Sequence, residues 1–222
     1  MNLLTYLRQF FENSAYHSGY DSIWHRLIEH CEYSLIALAV AAVIALPLAI
    51  ASGHSGRGDS TISAVAVVGR AMPSLGLLVL LAVELSLSLW VTMIPLVLLG
   101  IPPILLYTHA GIRAVDPAAV DAARGLGMTP WQTIRQVEIP ASLPLILAGL
   151  RAAAVQIVAT ATLAAVVSFG GLGRYIVDGL YQYDYAQVVG GAVLVALLSL
   201  LTLLVFWLLD RLLVSPGLRT TR

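Results

Sequence analysis

Residues 33–52, YSLIALAVAAVIALPLAIAS, contain no charged side chain. At about 1.5 Å of helix per residue such a run covers a hydrocarbon core of about 30 Å, where every backbone N–H and C=O needs a partner within the chain. The run is therefore predicted as a membrane-crossing helix, with Pro47 as the site of a kink. Comparable runs recur down the chain. With 59% hydrophobic and 11% charged residues in 222, the whole fits an all-α integral membrane protein with little length left for a separate soluble domain.

Four further spans are expected, at about 61–83, 90–112, 141–167 and 187–209, which makes about five transmembrane helices. The second carries Arg70 and Pro73 in the string RAMPS. A charge there must snorkel or pair, and a break at Met72–Pro73 would raise the count to six. A tight turn is expected at 84–89, followed by Trp90 at an interface. Residues 1–29 read as an amino-terminal segment outside the spans, where Arg8, Glu12, Asp21, Arg26 and Glu29 interrupt any apolar run and exclude the core of a cleaved signal peptide. Leu3, Leu4, Leu7, Phe10 and Phe11 recur at helical spacing, which suits a helix lying in the interface with Trp24 as an anchor. The membrane domain is placed at 30–212 and the tail at 213–222.

Five spans put the termini on opposite sides, and arginine chooses between the two orientations. With the amino terminus outside, Arg57, Arg113, Arg124, Arg135, Arg211, Arg219 and Arg222 face the cytoplasm, against Arg8, Arg26 and Arg174 outside. The RGD triplet at 57–59 is then an inner turn. All twelve basic residues are arginine. A phosphate loop of the G-x-x-x-x-G-K-[ST] type needs lysine, so ATP, if it drives this protein, must bind to another chain. The five histidines are scattered and show no metal-ligand spacing, and the single Cys31 has no internal partner.

The fourth span holds Ala152, Gln156, Thr160, Ala164 and Ser168 at every fourth position, a small and polar face. Gln156, Thr160 and Ser168 suit either a water-filled pathway or a helix–helix seam. Arg151 reads as a structural snorkeller. Beyond this span, FGGLG reads as a turn that folds a short helix back, and Tyr175, Tyr181, Tyr183 and Tyr185 suit either a cation–π cage for a quaternary ammonium or an interfacial aromatic belt. Asp178 and Asp184 lie in the same segment, available to a soluble partner.

The least hydrophobic long run is 116–140, DPAAVDAARGLGMTPWQTIRQVEIP. Asp116 and Pro117 are the cap and first residue of a helix that Gly125 and Gly127 end. Thr129, Pro130 and Gln132 form the capping box of a second helix, which Pro140 is expected to close. Alanine dominates the first helix, so another protein's groove can approach its backbone closely.

Asp121, Ala122, Ala123, Gly127, Val137, Ile139 and Pro140 also resemble the cytoplasmic "EAA" coupling loop of membrane subunits of ABC-type importers, with Asp121 where that pattern has Glu. The strings HCEYSLIALAV, RAMPSLGLLVLL, LPLILAGLRAA and GGLGRYIVDGL extend the likeness over about 30–212. Together they resemble the permease subunits of the glycine betaine/carnitine/choline group. The resemblance implies the type I importer permease fold and a prokaryotic cell membrane. It implies a second permease subunit, two ATP-binding subunits that carry ATP and Mg, and an extracytoplasmic solute-binding protein. Nucleic acid has no part. Asp121, Ala122, Ala123, Gly127 and Pro140 would dock the ATPase, while this chain would hold no catalytic residue, cofactor or metal of its own. An amino-acid importer, for example for methionine, is the neighbouring alternative. An ion-coupled secondary transporter is a more distant one, since it calls for intramembrane carboxylates and inverted repeats, and only Glu84 lies near a span end.

Overall fold

A computed structural model describes residues 2–85, 88–215 and 217, the side chains of Ala15 and Arg70 excepted. The expected pairing of Arg70, the charges of Arg219 and Arg222, and Ser86 and Leu87 of the expected turn lie outside the described residues.

Every regular element among the described residues is helical: α1 Leu3–Glu12, α2 Ile23–Ser55, α3 Asp59–Ala71, α4 Ser74–Leu85, α5 Leu89–Arg113, α6 Pro117–Gly125, α7 Pro130–Thr133, α8 Ile139–Thr160, α9 Gly173–Gln182 and α10 Tyr185–Leu213. Four runs are long and apolar enough to cross a membrane: α2, α5, Pro130–Val167 and α10; the bent pair α3 and α4, taken as one span, makes five.

The second span is thus not the single straight helix expected at 61–83. Met72 adopts φ −68° and ψ 123°, an extended conformation, directly before Pro73. The proline ring disfavours a helical residue in front of it and supplies no N–H to continue the ladder. The first span starts earlier than its apolar run, so the boundary at 29/30 falls inside α2. Its opening turns tolerate charge because Arg26 bonds Asp21 at 2.7 Å and Glu29 at 2.9 Å.

The chain divides into two compact units, and the division cuts through α2, α5, α8 and α10. The first comprises Met1–Leu38, Pro73–Val97 and Ala154–Thr202. Among the described residues its core includes three patches. Tyr33 and Ala37 pack with Met93, Leu96, Ile157 and Ala161; Leu78 and Ala82 pack with Val167; Phe10 packs with Leu172, Tyr175 and Val195. After Thr160 the backbone tightens to a 3-10 helix over Ala161–Val167, ending at Ser168 with φ 69°.

The second unit comprises Ala39–Met72, Leu98–Ala153 and Leu203–Arg222. Here α5 is approached closely by α2 and α8. Gly53 of α2 sits on Ile112, Gly111 faces Ser142 and Leu145 of α8, and Gly149 of α8 lies on Tyr107, each too close for an unadjusted Cβ. Small residues let the helix backbones come together where side chains would hold them apart. On α2, Ala41, Ala45 and Ala49 form a buried stripe in the same unit. Over the most apolar stretch of each helix, α5 is 56% buried and α10 only 6%, so α10 presents Leu, Val and Trp side chains outward, as a helix in lipid does.

Candidate functional site: the two-helix hairpin

The hairpin 116–140 is built almost wholly by its caps. Asp116 accepts a hydrogen bond from the Ala118 N–H at 2.9 Å, and Pro117 occupies the first helical position. At the other end of α6, Gly127 takes φ +82°. That left-handed residue lets its own N–H reach Arg124 O at 2.9 Å and the Met128 N–H reach Ala123 O at 3.1 Å, the paired bonds of a Schellman motif. Gly125 is simply the last helical residue. Thr129 then opens α7: its N–H donates to Gln132 Oε1 at 2.8 Å, and Gln132 N–H returns to the Thr129 hydroxyl.

Pro140 does not close this second helix. The chain passes from α7 through a π-helical stretch, Ile134–Glu138, straight into α8. Pro140 has no N–H, and its ring would crowd the carbonyl four residues back in an ordinary α-helix. The wider π turn, in which the Ile139 N–H bonds Ile134 O, absorbs that conflict and keeps the helix going.

Of the docking candidates, Asp121, Ala122, Gly127 and Pro140 are exposed and Ala123 is buried at 4%. Asp121 and Arg124 stand 3.8 Å apart in solvent, a pair that adds little to stability. Two large apolar residues project beside them, Leu126 at 81% and Trp131 at 65% exposure. Leu126 was not singled out from the sequence. Its signal is its position, a large aliphatic residue between Gly125 and Gly127.

Other sequence candidates are dispersed. Gln156 and Ser168 are exposed, Thr160 is half-buried and Ala164 is buried. The fourfold spacing fails after Thr160 because a 3-10 helix has about three residues per turn, which rotates Ala164 and Ser168 off the α-helical face. Thr160 borders a small cavity with Ser74, Leu78, Thr92 and Leu96, with room for about one water molecule.

The four tyrosines do not share a surface. Tyr181, Tyr183 and Tyr185 are exposed, whereas Tyr175 is buried against Phe10 and Tyr16 and donates its hydroxyl to Asp21 O. Burial pushes the Tyr175 phenol well above its usual range, and that of Tyr16 upward, so Tyr175 remains a donor at neutral pH. The aspartates nearby are also engaged. Asp178 pairs with Arg174 at 2.9 Å, and Asp184 caps α10 through Ala186 N–H and Gln187 N–H.

The histidines are the residues that spacing missed. His54 meets Glu138, and His109 meets both Ser52 and Asp59. The available signal was one carboxylate, Glu138, at the threshold of an apolar run.

The fold alone is shared with a solved transporter. It matches the inward facing MetNI methionine ABC transporter with a TM-score of 0.73 at 22% identity, covering 87% of this chain and 96% of that one. The class is therefore a multi-pass membrane protein with the type I ABC importer permease fold. More particularly, the chain belongs to the family of binding-protein-dependent transport system inner membrane components, whose model matches residues 37–215. Among its relatives are the glycine betaine/carnitine/choline transport system permease protein OpuCB of Bacillus subtilis (strain 168), 33% identical over 86% of this chain and 88% of the relative. The carnitine transport permease protein OpuCB of Listeria monocytogenes is 34% identical over 87% and 89%.

Proposed function

We propose that this chain forms the translocation path of an ATP-driven importer for a small osmoprotectant such as glycine betaine, choline or carnitine. The observation that carries the reading is the hairpin 116–140, a rigid doubly capped element with exposed alanine, Leu126 and Trp131, of a shape that another protein can grip. The relatives named above support the solute class.

Family membership implies an ATPase and a binding protein as partners. Our reading adds two ATP-binding subunits holding ATP and Mg, a second permease subunit identical or related to this one, and delivery of solute from outside the cell. The hairpin faces the cytoplasm and the amino terminus faces out, on the arginine distribution. Closure of the ATPase dimer moves the hairpin, the path opens outward to receive solute, and hydrolysis returns it inward. Asp121, Ala122 and Gly127 form the docking surface, with Ala123 packed beneath it, and Gln156, Thr160 and Ser168 border the path.

The test is solute-stimulated ATP hydrolysis in proteoliposomes holding this chain with its ATPase and binding protein, comparing betaine, choline, carnitine and methionine. Stimulation by a quaternary ammonium that Gly127→Trp abolishes is expected. Stimulation by methionine alone would overturn the solute class, and hydrolysis indifferent to every solute and to the substitution would overturn the docking role.

A further inference from the structure

The root of the hairpin holds a polar cluster for which docking has no use. Glu138 closes the π-helical stretch between α7 and α8, and its carboxylate is 5% exposed. Both its oxygens lie 2.9 Å from Nδ1 of His54 in the last turn of α2, 84 positions away in sequence. An ionised carboxylate only accepts, so the Nδ1–H of His54 donates. Two residues earlier on α2, the Ser52 hydroxyl lies 2.9 Å from His109 Nδ1 near the end of α5, and His109 Nε2 donates to Asp59, the first residue of α3, at 2.7 Å. Side-chain bonds thus tie the start of α8 to the end of α2, and α2 to α5 and α3.

The backbone alone supplies no such tie. A π turn interrupts the regular α-helical ladder, and it stands between α7 and the body of α8. A hairpin pushed from outside would flex there unless the joint were fastened to a neighbouring helix. Glu138 is fastened at the joint itself. Gly53 on Ile112 and Gly111 on Ser142 fit the surrounding helices together with little freedom to slide.

We infer that Glu138 and His54 are positioning residues of the transport cycle: their bond makes the hairpin and the end of α2 move as one body, so that displacement of the hairpin reaches the membrane helices. Ser52, His109 and Asp59 extend the same clamp to α5 and α3. This rests on the proposed function, since a clamp needs a hairpin that is driven.

The test measures solute transported per ATP hydrolysed in the assembled transporter, for wild type, Glu138→Leu, His54→Ala and Glu138→Gln. The first two substitutions remove the bond from opposite partners. Glu138→Gln keeps an amide oxygen that accepts from His54 Nδ1. Transport per ATP is expected to fall at least fivefold in Glu138→Leu and His54→Ala, with hydrolysis continuing but no longer responding to solute, and to stay within twofold of wild type in Glu138→Gln. An unchanged ratio in both disruptive variants overturns the inference. So does a lower yield of assembled complex whose surviving molecules transport normally, because that is a structural role only. A wild-type transporter in which no solute stimulates hydrolysis would instead overturn the proposed function.

Discussion

Gly127 offers the sharpest separation between backbone geometry and surface contact. Its φ of +82° sets the Schellman turn, yet a Cβ built on it meets nothing within 4 Å. Space therefore tolerates any small side chain, and the conformation does not. An L-residue in the left-handed region costs roughly 1–2 kcal/mol, of which the lower entropy of the unfolded alanine chain offsets about 0.4–1. The net for Gly127→Ala is about 1 kcal/mol of local stability, or about fivefold more opening of the turn. Hydrogen exchange at the Met128 amide, which bonds Ala123 O in the closed turn, reads this directly. Asparagine tolerates the left-handed conformation and valine does not, so exchange is expected to quicken in the order Asn, Ala, Val. Asparagine as disruptive as valine, at unchanged alanine, would refute the conformational argument and place the constraint in a contact made by the side-chain-free surface.

Two other changes probe the first unit. Tyr175→Phe deletes the donor to Asp21 O and is expected to cost about 1 kcal/mol at neutral pH in thermal unfolding in detergent. Because burial raises the Tyr175 phenol above its unfolded value of 10.0, its contribution is complete below about pH 10 and is lost as pH rises further; the gap between wild type and variant narrows there, and a gap that widened would contradict the buried, neutral phenol. Phe10→Ala removes the ring that rests on Gly190, stacks on Tyr16 at 4.8 Å and meets Tyr175 edge-on at 5.3 Å. Roughly 3 kcal/mol or more of α1 docking is at stake, so proteolysis within residues 2–22 is expected to quicken about a hundredfold, and a rate within threefold of wild type would show that α1 is held by something else.

The hairpin was legible because its signals are local. Asp116–Pro117, Gly127 and Thr129–Gln132 each act through bonds that span at most five residues, and the structure places each cap bond where those residue types call for it. Reading Pro140 as a stop failed for the opposite reason. A proline ends an α-helix only when nothing else accommodates it, and here a π turn closed by the Ile139 N–H on Ile134 O carries the helix past Pro140. The fourfold face of the fourth span failed similarly, because periodicity assumes an unchanging helix and this one tightens at Ala161. At Pro73 the break was readable as an alternative, since the proline ring acts on its immediate predecessor.

What the amino-acid order determined by itself was therefore the class of solvent, the approximate spans and the capped hairpin, all set by hydropathy and by bonds reaching a few residues. Only the tertiary structure decided that Tyr175 is core and not cage, that Glu138 and His54 meet, and that His109 bridges Ser52 and Asp59. Those contacts join groups 154, 84, 57 and 50 positions apart. No local propensity carries that information. It arises when helices pack closely enough, at glycine and alanine, to bring the polar groups they carry within bonding distance of each other.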